Sequence, residues 1–246
     1  NATPSTTAPT YSGSVTTFAG TSKPGVLFCT GVAGETNTTA NQMLSFSSLA
    51  TNGTATNCTI ALVCRYATRK ASYAHMLSTS GSWRTGSLHF LYNIDTGHTI
   101  QIAANPANAG TVATYTSNVP AIVVLRLNNN SAISLRVNGA SVATGTNSAA
   151  WVLDRLNLGG WSEDTARTFN GAFHDVLVWN STWLSDADAA MVEGYFAWKW
   201  WGSGSAVLPV GHAWYSSQPA YAVPNISTIP AALLGSTLSS AYTVAL

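Results

Sequence analysis

Residues 169–180 read F-N-G-A-F-H-D-V-L-V-W-N, the sequence W-L-S-D-A-D follows at residues 183–188, and E-G-Y-F-A-W-K-W follows at residues 193–200. The first segment is rich in β-branched and aromatic residues, which predicts a long central strand. The second and third segments carry a helix start signal and then bulky apolar residues at helical spacing. Together they predict a buried strand followed directly by a helix.

The helix is predicted over residues 185–201. Ser185 is a natural N-cap, and Asp188 lies three residues later in the capping-box position. Gly202 ends the helix because glycine readily adopts the left-handed conformation of a C-cap. We expect this helix to be amphipathic and to cover the edge of a sheet with bulky aromatic side chains. The residues of the expected buried stripe are Ala187, Met191, Gly194, Trp198 and Trp201, with Tyr195 and Trp200 as further packing.

The remainder of the chain up to residue 180 consists of short apolar segments separated by Gly, Asn, Ser and Pro. This spacing is typical of an all-β sandwich. The predicted strands are 25–29, 42–46, 59–66, 75–78, 87–92, 99–103, 111–116, 121–127, 133–137, 156–158 and 172–179. Two tight turns are also predicted, one at the Asn-rich residues 128–131 and one at Asn138-Gly139, a favoured two-residue hairpin turn.

Four further motifs support a family resemblance. They are V-N-G at 137–139, L-N-L-G-G at 156–160, E-G-Y-F-A-W-K-W at 193–200 and L-P-V-G-H at 208–212. With the strand at 169–180, they resemble the laminin-G-like members of the concanavalin A-like lectin/glucanase superfamily, especially those of phage, giant-virus and bacterial surface proteins. The resemblance covers about residues 119–215. It implies an all-β, two-sheet antiparallel jelly-roll sandwich with one short C-terminal amphipathic helix.

The sequence divides into three parts on this interpretation. Residues 1–22 are rich in Ser, Thr and Pro and carry no charge, which favours a flexible or extended arm. Residues 23–215 form the predicted sandwich, including the helix at 185–201. Residues 216–246 form an uncharged extension, which we expect to lie against the domain or a neighbouring subunit.

Composition excludes several classes of function. Charged residues make up 8% of the chain and the net charge is +1, so no basic surface for nucleic acid is expected. No segment has the roughly 18 uninterrupted apolar residues of a membrane span. We expect a module located outside the cell, at a cell surface or at a virion surface.

Seven Asn-x-Ser/Thr sequons and three cysteines are consistent with that location. The sequons are at Asn1, Asn37, Asn52, Asn57, Asn129, Asn180 and Asn225. Cys58 and Cys64 lie at the two ends of one extended segment and are too far apart to bridge. The predicted disulfide therefore joins Cys29 to Cys58 or Cys64; the alternative is three reduced thiols.

The acidic residues argue against catalysis. A retaining glycosidase needs two carboxylates roughly 5 Å apart, and the related glucanases place them in E-x-D-x-E or E-x-D-x-x-E. Neither pattern occurs, and the chain has three Glu. We expect no enzyme activity and no cofactor. The histidines lack the spacing of a zinc site, and Asp95, Asp154 and Asp164 are weak candidate ligands for calcium.

Two patches are candidates for glycan binding because each joins an aromatic platform to polar side chains in a loop. They are Trp83 with Arg84, and Trp161 with Asp164 and Arg167. We expect a non-catalytic extracellular or virion-surface structural subunit that docks with itself or with other subunits through its uncharged arms, and that also binds glycans. A carbohydrate-binding adhesion module is the main alternative, and a diverged glycoside hydrolase is a distant one.

Overall fold

In a computed structural model, the described residues form two antiparallel sheets of seven strands each. The structure describes residues 3–4, 9–29, 42–46, 57–67, 74–79, 88–93, 99–104, 107–114, 116–128, 132–146, 155–160 and 168–219. The strands are β1 (Thr3–Pro4), β2 (Thr10–Phe18), β3 (Thr21–Phe28), β4 (Leu44–Phe46), β5 (Cys58–Tyr66), β6 (Ala74–Ser78), β7 (Leu88–Asn93), β8 (Thr99–Ala104), β9 (Ala107–Thr114), β10 (Pro120–Leu127), β11 (Ala132–Val137), β12 (Ala140–Thr146), β13 (Leu156–Leu158) and β14 (Gly171–Asn180).

Sheet A has the strand order β1-β4-β13-β6-β7-β8-β9, and sheet B has the order β12-β11-β10-β5-β14-β3-β2. The inner faces of the two sheets share one hydrophobic core. Alternation places Ile60, Leu62 and Cys64 of β5 in this core, because successive side chains of a strand point to opposite faces. The predicted turn at Asn138-Gly139 is present, since both residues adopt positive φ between β11 and β12. Strands β10 and β11 pair as expected, and residues 129–131 of the other predicted turn lie outside the described residues.

The predicted helix is confirmed as α1, Asp186–Trp201. The Ser185 hydroxyl accepts a hydrogen bond from the Asp188 N–H, and Gly202 is the left-handed C-cap. In the described part of the chain α1 is the single α-helix, and a 3-10 turn follows at Gly204–Ala206.

The position and the buried side of α1 differ from the prediction. The helix packs on the outer face of sheet B instead of a sheet edge, in a second core with Val63, Ile122 and Leu177. Its buried positions are Ala189, Val192, Glu193, Gly194, Phe196, Ala197 and Trp200. Only Gly194 of the predicted stripe belongs to this set. The prediction left out Glu193 because it is charged, and it included Trp198 and Trp201 because their indole rings are large.

The predicted N-terminal arm is largely part of the sandwich. Residues 10–18 form β2, the outermost strand of sheet B, and pair with β3. Thr16 and Phe18 are buried while most other β2 residues are exposed. Two buried side chains are enough to anchor the strand, although the composition of residues 1–22 is that of an unstructured segment. The C-terminal extension is described only for residues 216–219.

No disulfide joins any two of the three cysteines. Cys58 and Cys64 both lie in β5, whereas Cys29 follows β3, and β14 lies between these two strands. Two strand spacings are about 10 Å, beyond the Cα separation that a disulfide spans. The structure thus accounts for the absence of the predicted bond. Burial raises the pKa of the Cys58 thiol to about 12, so this sulfur is protonated and inert at neutral pH.

Candidate functional site

The outer face of sheet A carries a group of polar side chains at its centre. In β13, Leu156 and Leu158 belong to the inner core and Asn157 points the opposite way. In β6, a bulge lies between His75 and Leu77; His75 stands between the core residues Ala74 and Met76, and Ser78 pairs in register with Asn157. A polar cluster of His75, Ser78 and Asn157 therefore lies on the face directed away from the sandwich core.

The members of the polar cluster are linked across strands. The Asn157 side-chain amide donates to the Ser78 hydroxyl at 2.9 Å, and backbone register places Asn157 between Ser78 and Ser45. His75, Ser78 and Asn157 are fully buried, and Ser45 is half-buried. Buried polar groups are costly unless they are hydrogen-bonded, so this cluster is a fixed, pre-organised floor and not a set of mobile surface groups.

Both predicted glycan patches are connected to this floor by the chain. Residues 80–87, with Trp83 and Arg84, follow Thr79 at one end of β6. Residues 161–167, with Trp161, Asp164 and Arg167, run from Gly160 to Thr168, and Thr168 bridges to His75 at the other end of β6. The five patch residues themselves lie outside the described residues.

A buried charge network closes the outer face of sheet B. Glu193 of α1 is fully buried and accepts two hydrogen bonds from the Arg136 guanidinium, each 2.8 Å long. The same guanidinium donates to the Gly139 carbonyl at 2.9 Å. His212 Nε2 lies 3.1 Å from Glu193, and its Nδ1 accepts from the Trp214 N–H, which places the proton on Nε2. The hydrogen bond to Glu193 raises the pKa of Arg136.

A second ion pair lies at the C-terminal half of α1. Lys199 Nζ is 2.6 Å from Asp175, and the Trp200 indole donates to the same carboxylate at 3.2 Å. Burial lowers the pKa of Lys199, but the Asp175 carboxylate outweighs this and the net pKa is raised. Asp175 is thus committed to Lys199, and not to the neighbouring His174 that the sequence places beside it.

The described residues contain no group of three or more His, Cys, Asp or Glu side chains that could hold a metal ion. The weak calcium candidates Asp95, Asp154 and Asp164 lie outside those residues. Within the same part of the chain, no helix has the length and hydrophobicity to cross a membrane. Of the predicted sequons, Asn180 is exposed and Asn57 is half-buried. The remaining five (Asn1, Asn37, Asn52, Asn129 and Asn225) are not among the described residues.

The polar cluster was missed at the sequence level. Asn157 between Leu156 and Leu158 is the signal that could have found it, since an alternating strand places such a residue on the face away from the core. His75 and Ser78 carry no such signal because the bulge in β6 breaks the alternation. The network of Arg136, Glu193 and His212 joins residues distant in sequence and has no local signature.

No family model matches the sequence, and no curated protein matches it. Among solved structures, the chain is similar to full-length tailspike protein 2 from the Escherichia coli O157:H7 bacteriophage CAB120, with 17% identity and a TM-score of 0.52 over 85% of this chain and 28% of that one. The chain therefore spans little more than a quarter of that protein.

Two further solved structures are similar. Domain 4 of an extracellular arabinanase from Geobacillus stearothermophilus, in complex with arabinotriose, shares 10% identity with a TM-score of 0.50 over 73% of this chain and 78% of that one. A heptameric pentraxin from Limulus polyphemus shares 13% identity with a TM-score of 0.49 over 66% and 79% of the two chains. With the two antiparallel sheets, the likenesses to the tailspike and to the arabinanase domain show that the chain has a jelly-roll β-sandwich fold.

Proposed function

We propose that this chain is a non-catalytic, laminin-G-like carbohydrate-binding module whose ligand lies on the outer face of sheet A. The observation that carries the proposal is the location of the polar cluster. The patch of Trp83 and Arg84 follows β6 along the chain, and the patch of Trp161, Asp164 and Arg167 lies between β13 and Thr168, which bridges to His75 of β6.

The opposite face supports the assignment by its chemistry. Helix α1 and the segment after it cover the outer face of sheet B with Phe196, Trp200 and Leu208, all buried. Apolar packing therefore occupies much of that face. The outer face of sheet A has polar groups at its centre, as a sugar requires, because sugar hydroxyls need hydrogen-bonding partners and an aromatic surface.

The acids in the described part of the chain support a non-catalytic role. Glu193 is paired with Arg136 and His212, and Asp175 is paired with Lys199. Asp186 and Asp188 serve the first turn of α1. Each of these carboxylates has a structural partner or position, which leaves none arranged as the acid and nucleophile of a glycosidase.

A glycan array tests the proposal, with the wild-type protein compared with Trp161→Ala and Trp83→Ala. Loss of an aromatic platform is expected to weaken binding about tenfold or more, because tenfold corresponds to about 1.4 kcal/mol. The matched control is Tyr11→Ala, which removes a 56% exposed aromatic ring from the outermost strand of sheet B. Binding to no glycan, or equal loss in the control, would contradict the proposal.

A second candidate function is assembly into an extracellular or virion-surface structure. It is favoured by β2, which is the terminal strand of sheet B, carries no charged residue and exposes Tyr11. Natural edge strands are usually protected by charge, and an unprotected edge favours strand pairing with a neighbour. Light scattering of the wild type and of Tyr11→Lys tests this: an oligomer that dissociates in the variant supports it, and a monomeric wild type opposes it.

A further inference from the structure

Strand β14 contains a bulge at His174. The pairing of β14 with β5 shifts register between Phe173 and Asp175, so His174 is the additional residue. Phe173 and Val176 face the inner core, whereas His174 contacts Phe18 and Trp200 on the outer side of the sheet. The bulge thus inserts an imidazole between sheet B and the C-terminal half of α1.

The bulge coincides with the point where β3 separates from β14. Their ladder consists of three pairs and ends at Phe173 and Val26. Pro24 lies two residues before Val26 in β3 and has no N–H with which to continue the ladder to β14. Its carbonyl instead accepts a hydrogen bond from His174 Nδ1 at 2.7 Å. Beyond the three backbone pairs, the imidazole therefore provides the connection between β14 and residues 10–25 of the hairpin formed by β2 and β3.

Residues of the β2–β3 hairpin pack closely against the His174 ring. A Cβ at Gly25 would lie 2.7 Å from His174 Nδ1, so the ring occupies the space of a side chain there. Phe18 of β2 packs edge-to-face on the imidazole with centroids 4.9 Å apart, and it also contacts Trp200 and Trp201. Residues 10–25 are thus held to the domain mainly by His174, by Phe18 and by the hydrogen bond from Arg65 to Thr16.

The environment of His174 suits the neutral ring only. Its Nε2 atom is buried and has no hydrogen-bond partner among the described residues. The charged groups on the elements packed around it are Lys23 on β3, Arg65 on β5, Asp175 beside it on β14 and Lys199 on α1. Asp175 is already neutralised by Lys199. A proton on Nε2 would therefore meet no acceptor and would be repelled by Arg65.

We propose that His174 is an acid-sensitive latch, and that its protonation releases residues 10–25, the part of the β2–β3 hairpin beyond the ladder with β14, while the rest of the sandwich stays folded. Burial is the main reason that the pKa of His174 is lowered to about 4, with Arg65 adding to the effect and the Pro24 carbonyl opposing it. A released imidazole has its ordinary value of 6.5. The released state therefore binds the proton first as the pH falls, and release is favoured progressively from about pH 6.5 to about pH 4.

Hydrogen exchange followed by mass spectrometry tests the latch in the full chain. After correction for the intrinsic rate at each pH, protection of residues 10–25 is expected to fall by up to about twentyfold between pH 7 and pH 5, from the difference between the two pKa values. Protection of β5 and α1 is expected to persist, because both belong to the large cores that the hairpin leaves intact.

His174→Gln and His174→Phe remove the titration in two ways, the first keeping an N–H donor and the second keeping the aromatic ring. In both, the pH dependence of hairpin protection is expected to disappear, whatever its level at pH 7. His212→Gln is the control and is expected to retain the wild-type dependence. A pH step that persists in both His174 variants would overturn the proposal, as would simultaneous loss of protection in the hairpin, β5 and α1.

Discussion

The outer faces of the two sheets differ in the side chains at their centres. Sheet B is covered by α1 through a mainly apolar contact, which also includes the enclosed network of Arg136, Glu193 and His212 and two ion pairs, Lys199–Asp175 and Asp186–Arg126. The outer face of sheet A has polar residues at its centre, where Asn157 donates a hydrogen bond to Ser78. The outer face of sheet B is therefore covered mainly by apolar packing, and the outer face of sheet A has hydrogen-bonding groups at its centre.

This difference shows that the two outer faces of one sandwich can carry different chemistry. In a sandwich, both sheets have an outer face, and each alternating strand offers side chains to it. A helix across one face uses that surface for stability. The other face carries the polar cluster, and residues 80–87 and 161–167 adjoin described residues of this region along the chain.

Among substitutions on the two outer faces, Glu193→Ala is expected to lower the free energy of unfolding the most. The substitution leaves the buried Arg136 and His212 without their shared carboxylate, and removing one partner of a buried ion pair costs about 3–5 kcal/mol. Urea denaturation measures the free energy of unfolding. Glu193→Gln retains hydrogen-bonding capacity and is expected to lose less. A loss below about 1 kcal/mol in Glu193→Ala would show that the network does not hold the closed face.

Phe196→Ala identifies the side of α1 that closes sheet B. Phe196 is fully buried, and its truncation is expected to cost about 3–4 kcal/mol through lost burial and a cavity. The matched control is Trp198→Ala, since Trp198 is half-buried and its indole donates to the Trp214 carbonyl at 3.2 Å. Thermal unfolding should rank Phe196→Ala as the more damaging change. The reverse order would favour the stripe expected from the sequence.

Ser78→Ala tests the polar cluster on the outer face of sheet A. It removes the hydroxyl that accepts from Asn157, and leaving a buried amide without this partner is expected to cost about 1–2 kcal/mol. The free energy of unfolding in urea provides the value. A neutral or stabilising result would mean that the polar cluster is not the fixed floor described above.

The smallest effect is expected from Asp186→Asn. Asp186 lies 2.6 Å from Arg126, but its side chain is 80% exposed, so solvent weakens the pair. Exposed ion pairs are typically worth less than about 1 kcal/mol. A double-mutant cycle with Arg126→Met should give a coupling energy below that value, in contrast to the Glu193 network. A coupling of several kcal/mol would remove the distinction between exposed and enclosed charges on this face.

The sequence was sufficient to predict the fold, most strands and both ends of α1, because these depend on local signals such as alternation, the Asn138-Gly139 turn and the Ser185 cap. It was not sufficient to place the helix or the arm. Glu193 is buried because Arg136, 57 positions away, pairs with it, and no local pattern reveals that partner. Residues 10–18 join sheet B through Thr16 and Phe18 despite the composition of the whole segment.

The candidate site could be predicted only in part. Aromatic and polar residues in loops indicated Trp83 and Trp161, and these remain predictions. The floor of the site could not be anticipated because the β6 bulge determines which residues reach the outer face. In the same way, the bulge at His174 brings two consecutive residues of β14, His174 and Asp175, to the outer side of sheet B.

Hydrogen exchange with and without a saturating oligosaccharide selected on the glycan array tests the central claim most directly. If the ligand lies on the outer face of sheet A, binding should slow exchange in residues 74–79 and 155–160 and in the loops joined to them. Exchange in α1 and in residues 202–219 should not change. Protection confined to α1 or to sheet B, with residues 74–79 and 155–160 unaffected, would contradict the account.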